Sequence, residues 1–163
     1  MIDWLYSKIA LMVAALVIFS GVAGFFALQK DRTALVELDG RAGAIARAVN
    51  DVCGVTGDIK ITVVFDPGES GFFIDPAVNG GAYSVTIYPD SVRLEHGGDI
   101  ARRGFTGIVH LWKPVCAAFN GTQFTRNDTG SQTLSFMSGT NFVIERKTVE
   151  VSGETMLLTF VYV

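Results

Sequence analysis

Residues 9–28 read IALMVAALVIFSGVAGFFAL, an uninterrupted apolar block with no charged side chain. About twenty apolar residues is the length a helix needs to cross the roughly 30 Å hydrocarbon core of a bilayer. Lys30, Asp31 and Arg32 follow at once, but helical periodicity carries on past them. Leu35, Leu38, Ala42, Ile45, Val49 and Val52 recur at three- and four-residue spacing, while Glu37, Asp39, Arg41, Arg47, Asn50 and Asp51 mostly turn elsewhere. No proline interrupts the chain between Met1 and Cys53. The spacing therefore predicts one helix of about 50 residues, roughly 75 Å long at 1.5 Å per residue. Its first half is apolar all round and its second half is amphipathic.

That shape restricts what the segment does. An all-round apolar helix needs lipid or other helices like itself, whereas an amphipathic helix needs one flat partner, most simply a β-sheet of the same chain. Gly21 and Gly24 lie among Ala14, Ala15, Ser20, Ala23 and Ala27. Small residues let helix backbones approach closely in apolar surroundings, so Leu16, Gly21, Gly24 and Phe25 are the candidate residues for helix–helix assembly. The competing reading is an ordinary anchor in which the small residues are filler. Gly40 and Gly43 lower helix propensity in the second half.

Beyond the helix, about 110 residues remain, enough for one small domain with its own core. Gly54 and Gly57 stop the helix. Residues 59–65 alternate as a strand, and Asp66-Pro67-Gly68 turns it. Strands are expected over 82–88 and 91–95 as a hairpin, over 105–112, 134–137 and 142–151, and over 156–163. His96-Gly97-Gly98 closes the 91–95 strand. The last strand is apolar on both faces, which places it centrally or beneath the helix. Residues 117–131, rich in Asn, Thr and Gly, read as an exposed loop. The fold class expected is α+β: a long N-terminal helix, membrane-spanning in its first half and amphipathic in its second, packed on a C-terminal antiparallel β-sheet domain. Residues 1–53 form the helix and residues 54–163 an extracytoplasmic β-domain.

Charge and motifs exclude more than they assign. The net charge is −3, and scattered Lys and Arg outnumbered by acids give no nucleic-acid footprint. No nucleophile elbow, zincin helix, P-loop or dinucleotide fingerprint occurs, so no enzyme, catalytic residue or cofactor is expected. His110 alternates outward with Thr106 and Trp112 as a surface or interface residue. Asp66, Glu69, Asp75 and Asp90 fall in turns without an EF-hand pattern. Cys53 and Cys116, an even pair in a chain that reads as exported, point to one disulfide. It would close a loop of about sixty residues and stabilise by roughly 4 kcal/mol; two buried free thiols are the alternative. A metal site lacks the spacing it needs. Asn120-Gly121-Thr122 and Asn127-Asp128-Thr129 are glycosylation sequons. Lys30, Arg32, Arg41 and Arg47 after the block would by themselves hold the C-terminal part inside. The sequons, the cysteine pair and the short N-terminal flank favour the opposite: a cell-membrane location with the C-terminal domain outside. Trp4 and Tyr6 suit a membrane interface.

A long N-terminal helix, hydrophobic first and amphipathic after, followed by a β-domain, resembles the type IV pilins and their pilin-like relatives. The all-β head and the paired N-x-T sequons resemble the archaeal members more than the bacterial ones. The resemblance covers the whole chain as architecture. It implies a structural subunit that associates with copies of itself through residues 9–28, and with other pilin-like subunits, into a surface filament or a secretion-type pseudopilus. The membrane would be its other partner, holding it before assembly. Two features depart from the pattern: only MIDWLYSK precedes the block, without a basic leader ending in Gly or Ala, and Leu5 stands where bacterial pilins carry a glutamate. The leader then lies outside this sequence or the chain is not processed. A membrane-anchored extracytoplasmic binding or sensing domain that does not polymerise is the second reading.

Overall fold

A computed structural model describes the backbone of residues 2–163 and the side chains of residues 11–26 and 32–163. The sequence expectations on Asp3, Trp4, Leu5, Tyr6, Ile9, Ala27, Leu28 and Lys30 therefore fall outside the described side chains. The chain begins with helix α1, Ile2–Gly54. Two compact units divide between Ala34 and Leu35, well before the helix ends.

In the first unit, Met1–Ala34, the described part of the apolar block is uncovered. Leu11, Leu16, Phe19, Phe25 and Phe26 are all exposed. Among the described residues no helix is long and apolar enough to cross a membrane. This corrects the expected membrane-spanning half, the transmembrane helix, and the location in the cell membrane with the C-terminal domain outside.

The second unit, Leu35–Val163, holds the rest of α1 and all the strands. Leu38, Ala42, Ile45, Val49 and Val52 are buried, four of them within the first percent or so of complete burial, whereas Leu35 is exposed. Polar contacts rim this stripe. Glu37 accepts from the Asn79 amide, Asp39 pairs with Arg103, and Arg41 pairs with Asp75 at 3.1 Å. Asn50 Oδ1 accepts from Thr106 N and Oγ1 at 2.8 and 3.1 Å. Exposed ion pairs contribute about 0–1 kcal/mol each, so the buried stripe supplies most of the energy and the polar contacts fix its rotation.

The main sheet is built on β10, Phe142–Val151. Antiparallel to it run β1, Ile59–Val64, and β11, Glu154–Tyr162. The sheet is mixed rather than purely antiparallel, which corrects that part of the expectation. Strand β2, Phe72–Phe73, pairs parallel with β1, and β8, Ala118–Phe119, pairs parallel with β10. Both parallel partners are two residues long, short enough to arise from loops that double back. Gly71 makes the first approach feasible, since a Cβ there would lie 2.5 Å from the Thr62 carbonyl oxygen. A two-stranded ribbon joins β3, Ala77–Val78, to β4, Gly81–Ala82. A four-stranded antiparallel sheet runs in the order β7-β6-β5-β9, from β5 Ser84–Ile87, β6 Ser91–His96, β7 Asp99–Gly104 and β9 Leu134–Met137.

Three local expectations change. His96-Gly97-Gly98 is a hairpin turn into β7, with both glycines at positive φ, as a tight two-residue loop requires. Residues 105–112 are not a strand; only His110 bridges, in parallel, to Phe160. With β7 occupying the neighbouring edge, residues after Gly104 are free to leave the sheet. Strand β11 lies at the end of its sheet order, and of its two expected places it takes the one against the helix: Cys53 of α1 bonds Thr159 on one face, and the other face is covered by the His110 segment and an aromatic cluster. That cluster joins Trp112, Phe119, Phe160 and Tyr162 to the partly buried Phe124. Phe124 comes from α2, Gly121–Gly130, a helix where a loop is expected.

Two predictions follow from this packing. Ile45→Ala should destabilise the fold by about 2–5 kcal/mol, the usual cost of emptying a fully buried aliphatic site, as read by urea denaturation with near-ultraviolet circular dichroism. Asp58 accepts from the Thr148 hydroxyl and amide, both at 2.7 Å, and these bonds hold its carboxyl below the ordinary range. A depressed folded-state value means the stabilisation is present at neutral pH and is lost as pH falls through that value. The stability difference between wild type and Asp58→Asn should therefore shrink as pH is lowered from 6 to 2.

Candidate functional site

The largest uncovered apolar feature among the described residues is the helix surface over residues 11–26. It carries Leu, Met, Val, Ile, Phe, Ala, Ser and Gly only. Phe19 exposes 75% of its surface and Leu11 71%. At about 100° of rotation per residue, Leu11, Leu16, Phe19, Val22, Phe25 and Phe26 lie on one side. Val13, Ala14, Val17, Ser20, Gly21 and Gly24 lie on the other. The cylinder thus has a bulky side and a shallow side, and neither is polar. A Cβ at Gly21 or Gly24 would meet nothing within 4 Å, so this chain's own packing does not require glycine there. Of the expected assembly residues, Leu16 and Phe25 fall on the bulky side and Gly21 and Gly24 on the shallow side. The described residues carry no charge or polar cluster that would give this surface any chemistry beyond association.

The remaining candidates lie in the second unit. The expected Cys53–Cys116 disulfide is not formed; both thiols are free. Each sulfur is engaged elsewhere: Cys53 Sγ donates to Thr159 Oγ1 at 3.4 Å and Cys116 Sγ to the Ala118 carbonyl at 3.1 Å. Their segments are held by the end of α1 and by the start of β8, which leaves the thiols on different local partners. The sequon residues belong to α2 rather than to a loop. Asn120 is its N-cap: Asn120 Oδ1 accepts from the Gln123 amide at 2.7 Å, and the Gln123 side chain accepts from the Asn120 amide. This capping box is a sequence signal, Asn-x-x-Gln, that a loop reading of residues 117–131 passes over. Asn127 lies within the same helix.

His110 is drawn inward. Its Nδ1 lies 2.7 Å from Asp128 Oδ1, and its ring meets Phe124 edge-to-face and Phe160 at a tilt, with centroids 5.2 and 5.5 Å apart. Together with Phe124 it fastens α2 to the sheet. The turn acids are committed locally: Asp66 Oδ1 accepts from the Gly68 amide, Glu69 from Asn141, Asp75 from Arg41, and Asp90 from Ser91. Among the described residues no group of three or more His, Cys, Asp or Glu is placed to hold a metal ion. Burial pushes the Tyr83 hydroxyl well above its ordinary value, and its bond to the Asp75 carbonyl at 3.0 Å makes it a structural donor.

No family model, curated protein or solved structure matches this chain. Whatever the chain does is therefore argued from its own residues.

Removing the N-cap tests the attachment of α2. Asn120→Ala should cost about 1 kcal/mol, seen as roughly fivefold faster amide hydrogen exchange at Gln123 and Phe124 with exchange at Ile144 unchanged.

Proposed function

We propose that this chain is a pilin-like structural subunit that assembles with copies of itself through the helix of residues 9–28 into a filament whose core is a bundle of these helices. The observation that carries the reading is the exposed helical surface over residues 11–26, without charge and apolar around its whole circumference. A helix with one apolar stripe is satisfied by one partner. A helix apolar on every side needs several, and in water identical helices are the partners every copy has to hand. Contiguous exposed apolar surface of this extent marks an interaction site.

The two sides favour an open assembly. When the bulky side of one helix fits the shallow side of the next, the two surfaces in contact differ. Such a heterologous contact, repeated, gives a ring or an unclosed filament rather than a two-fold dimer. Close helix approach at Gly21 and Gly24 would add dispersion contacts that larger residues prevent. The resemblance of the whole chain to type IV pilins in architecture agrees with this reading.

The full chain, purified in a neutral detergent and dialysed free of it, should form filaments visible by negative-stain electron microscopy. Gly21→Leu and Gly24→Leu should each raise the concentration needed for assembly at least tenfold while near-ultraviolet circular dichroism stays that of the wild type. A chain that remains monomeric at every concentration, or variants that assemble like the wild type, would overturn the proposal.

A further inference from the structure

The end of α1, the segment after β7 and the strands β10 and β11 enclose a half-open cavity of about 340 Å³ within the second unit. Its polar wall holds Asn50, Thr106, Arg146 and Thr159, and Leu157, on the same face of β11 as Thr159, lies on its apolar side with Ile108. No carboxylate lines it. Arg146 is permanently charged and carries five N–H donors. Its neighbours across the sheet are Ile59 on β1 and Thr159 on β11, which offer no counter-charge. Among the described residues its one hydrogen bond runs to Thr159 Oγ1 at 3.1 Å, and its Nε is buried without a partner.

The other polar groups add to the same imbalance. Thr159 Oγ1 accepts from both Arg146 and Cys53, so its own proton points away from both. The Asn50 oxygen is occupied by Thr106 N and Oγ1, which leaves its amide NH2 as the free end. Among its side chains the cavity is rich in donors and short of acceptors. A ligand that completes it must accept hydrogen bonds and bring negative charge. One guanidinium balances one charge, and its fork matches a planar carboxylate.

We propose that this cavity is a binding site for a small monocarboxylate, its carboxylate held by Arg146 and its apolar part against Leu157. This inference is independent of the assembly through residues 9–28, because every residue it uses lies in the second unit. Cys53 lines the same cavity as a free, half-buried thiol, and it serves as a reporter of what enters.

The test uses the full chain in neutral detergent, with Cys116→Ser so that Cys53 is the only thiol. Alkylation rates with iodoacetate and with its neutral isostere iodoacetamide are compared in the folded and the urea-unfolded chain. The folded chain should prefer iodoacetate at least fivefold more than the unfolded chain does. Propionate should slow the iodoacetamide reaction in the millimolar range while propionamide leaves it unchanged. Arg146→Gln should abolish both effects, and Arg146→Lys, which keeps the charge and loses the fork, should retain part of the preference. The proposal is overturned by a folded-state preference no greater than that of the unfolded chain, by equal protection from propionamide, or by a preference that survives in a folded Arg146→Gln chain. It is also overturned if neither reagent labels folded Cys53, since the cavity would then admit no molecule of that size.

Discussion

The burial of one stripe of α1, Leu38, Ala42, Ile45, Val49 and Val52, is the interaction on which the second unit depends. Each residue of the stripe lies three or four positions from the next, so losing the helix would scatter all of them at once. The alanines and valines keep that face shallow, which lets the helix backbone lie close to its neighbours. The rim of Glu37, Asp39, Arg41 and Asn50 then sets the rotation, because each reaches a different strand or loop. A helix held in that rotation delivers Cys53 and Asn50 to the cavity beside Arg146.

Strand β10 plays the corresponding part among the strands. Along one edge it pairs with β1 over residues 142–146 and with β8 at residues 150–151; along the other it pairs with β11. A ten-residue strand is long enough to serve two partners on the same edge. The second of these, β8, leads directly into α2, and the aromatic cluster fills the space between them. Trp112 packs against Phe119, Phe124 and Phe160 with ring centroids 5.0 to 5.5 Å apart, all edge-to-face. Edge-to-face pairs contribute about 0.5–1.5 kcal/mol beyond area burial, so α2 is attached by its one aromatic side chain, Phe124, and by His110–Asp128 although it buries no residue completely.

The two surfaces proposed for function differ in physical kind. Over residues 11–26 there is area without direction: uncharged, apolar and open on all sides, suited to repeated copies of the same helix. At Arg146 there is direction without much area: a few donors aimed at a space that holds one small anion. Neither depends on the other, and a subunit can assemble through the first while the second is empty or filled.

What the sequence determined by itself is what short-range periodicity encodes. The 3.6-residue recurrence from Leu38 to Val52 marks the buried helical face, and the alternation from residue 59 marks β1, because side-chain direction in a helix or strand follows from position alone. The chargeless run of residues 9–28 is likewise legible as a segment in need of apolar partners. The tertiary structure decided what depends on distant partners. Residues 105–112 alternate like a strand but lose that role, because β7, just before them in the chain, holds the edge position beside β6. Polar residues 121–130 look like a loop, yet a capping box and the hydrophobic cluster beneath Phe124 make them a helix. The two cysteines look like a pair, but each thiol settles on a nearby acceptor. The unpaired charge of Arg146 is invisible in a sequence with acids on either side at Glu145 and Glu150; only the register against Ile59 and Thr159 shows that no acid stands directly across from it.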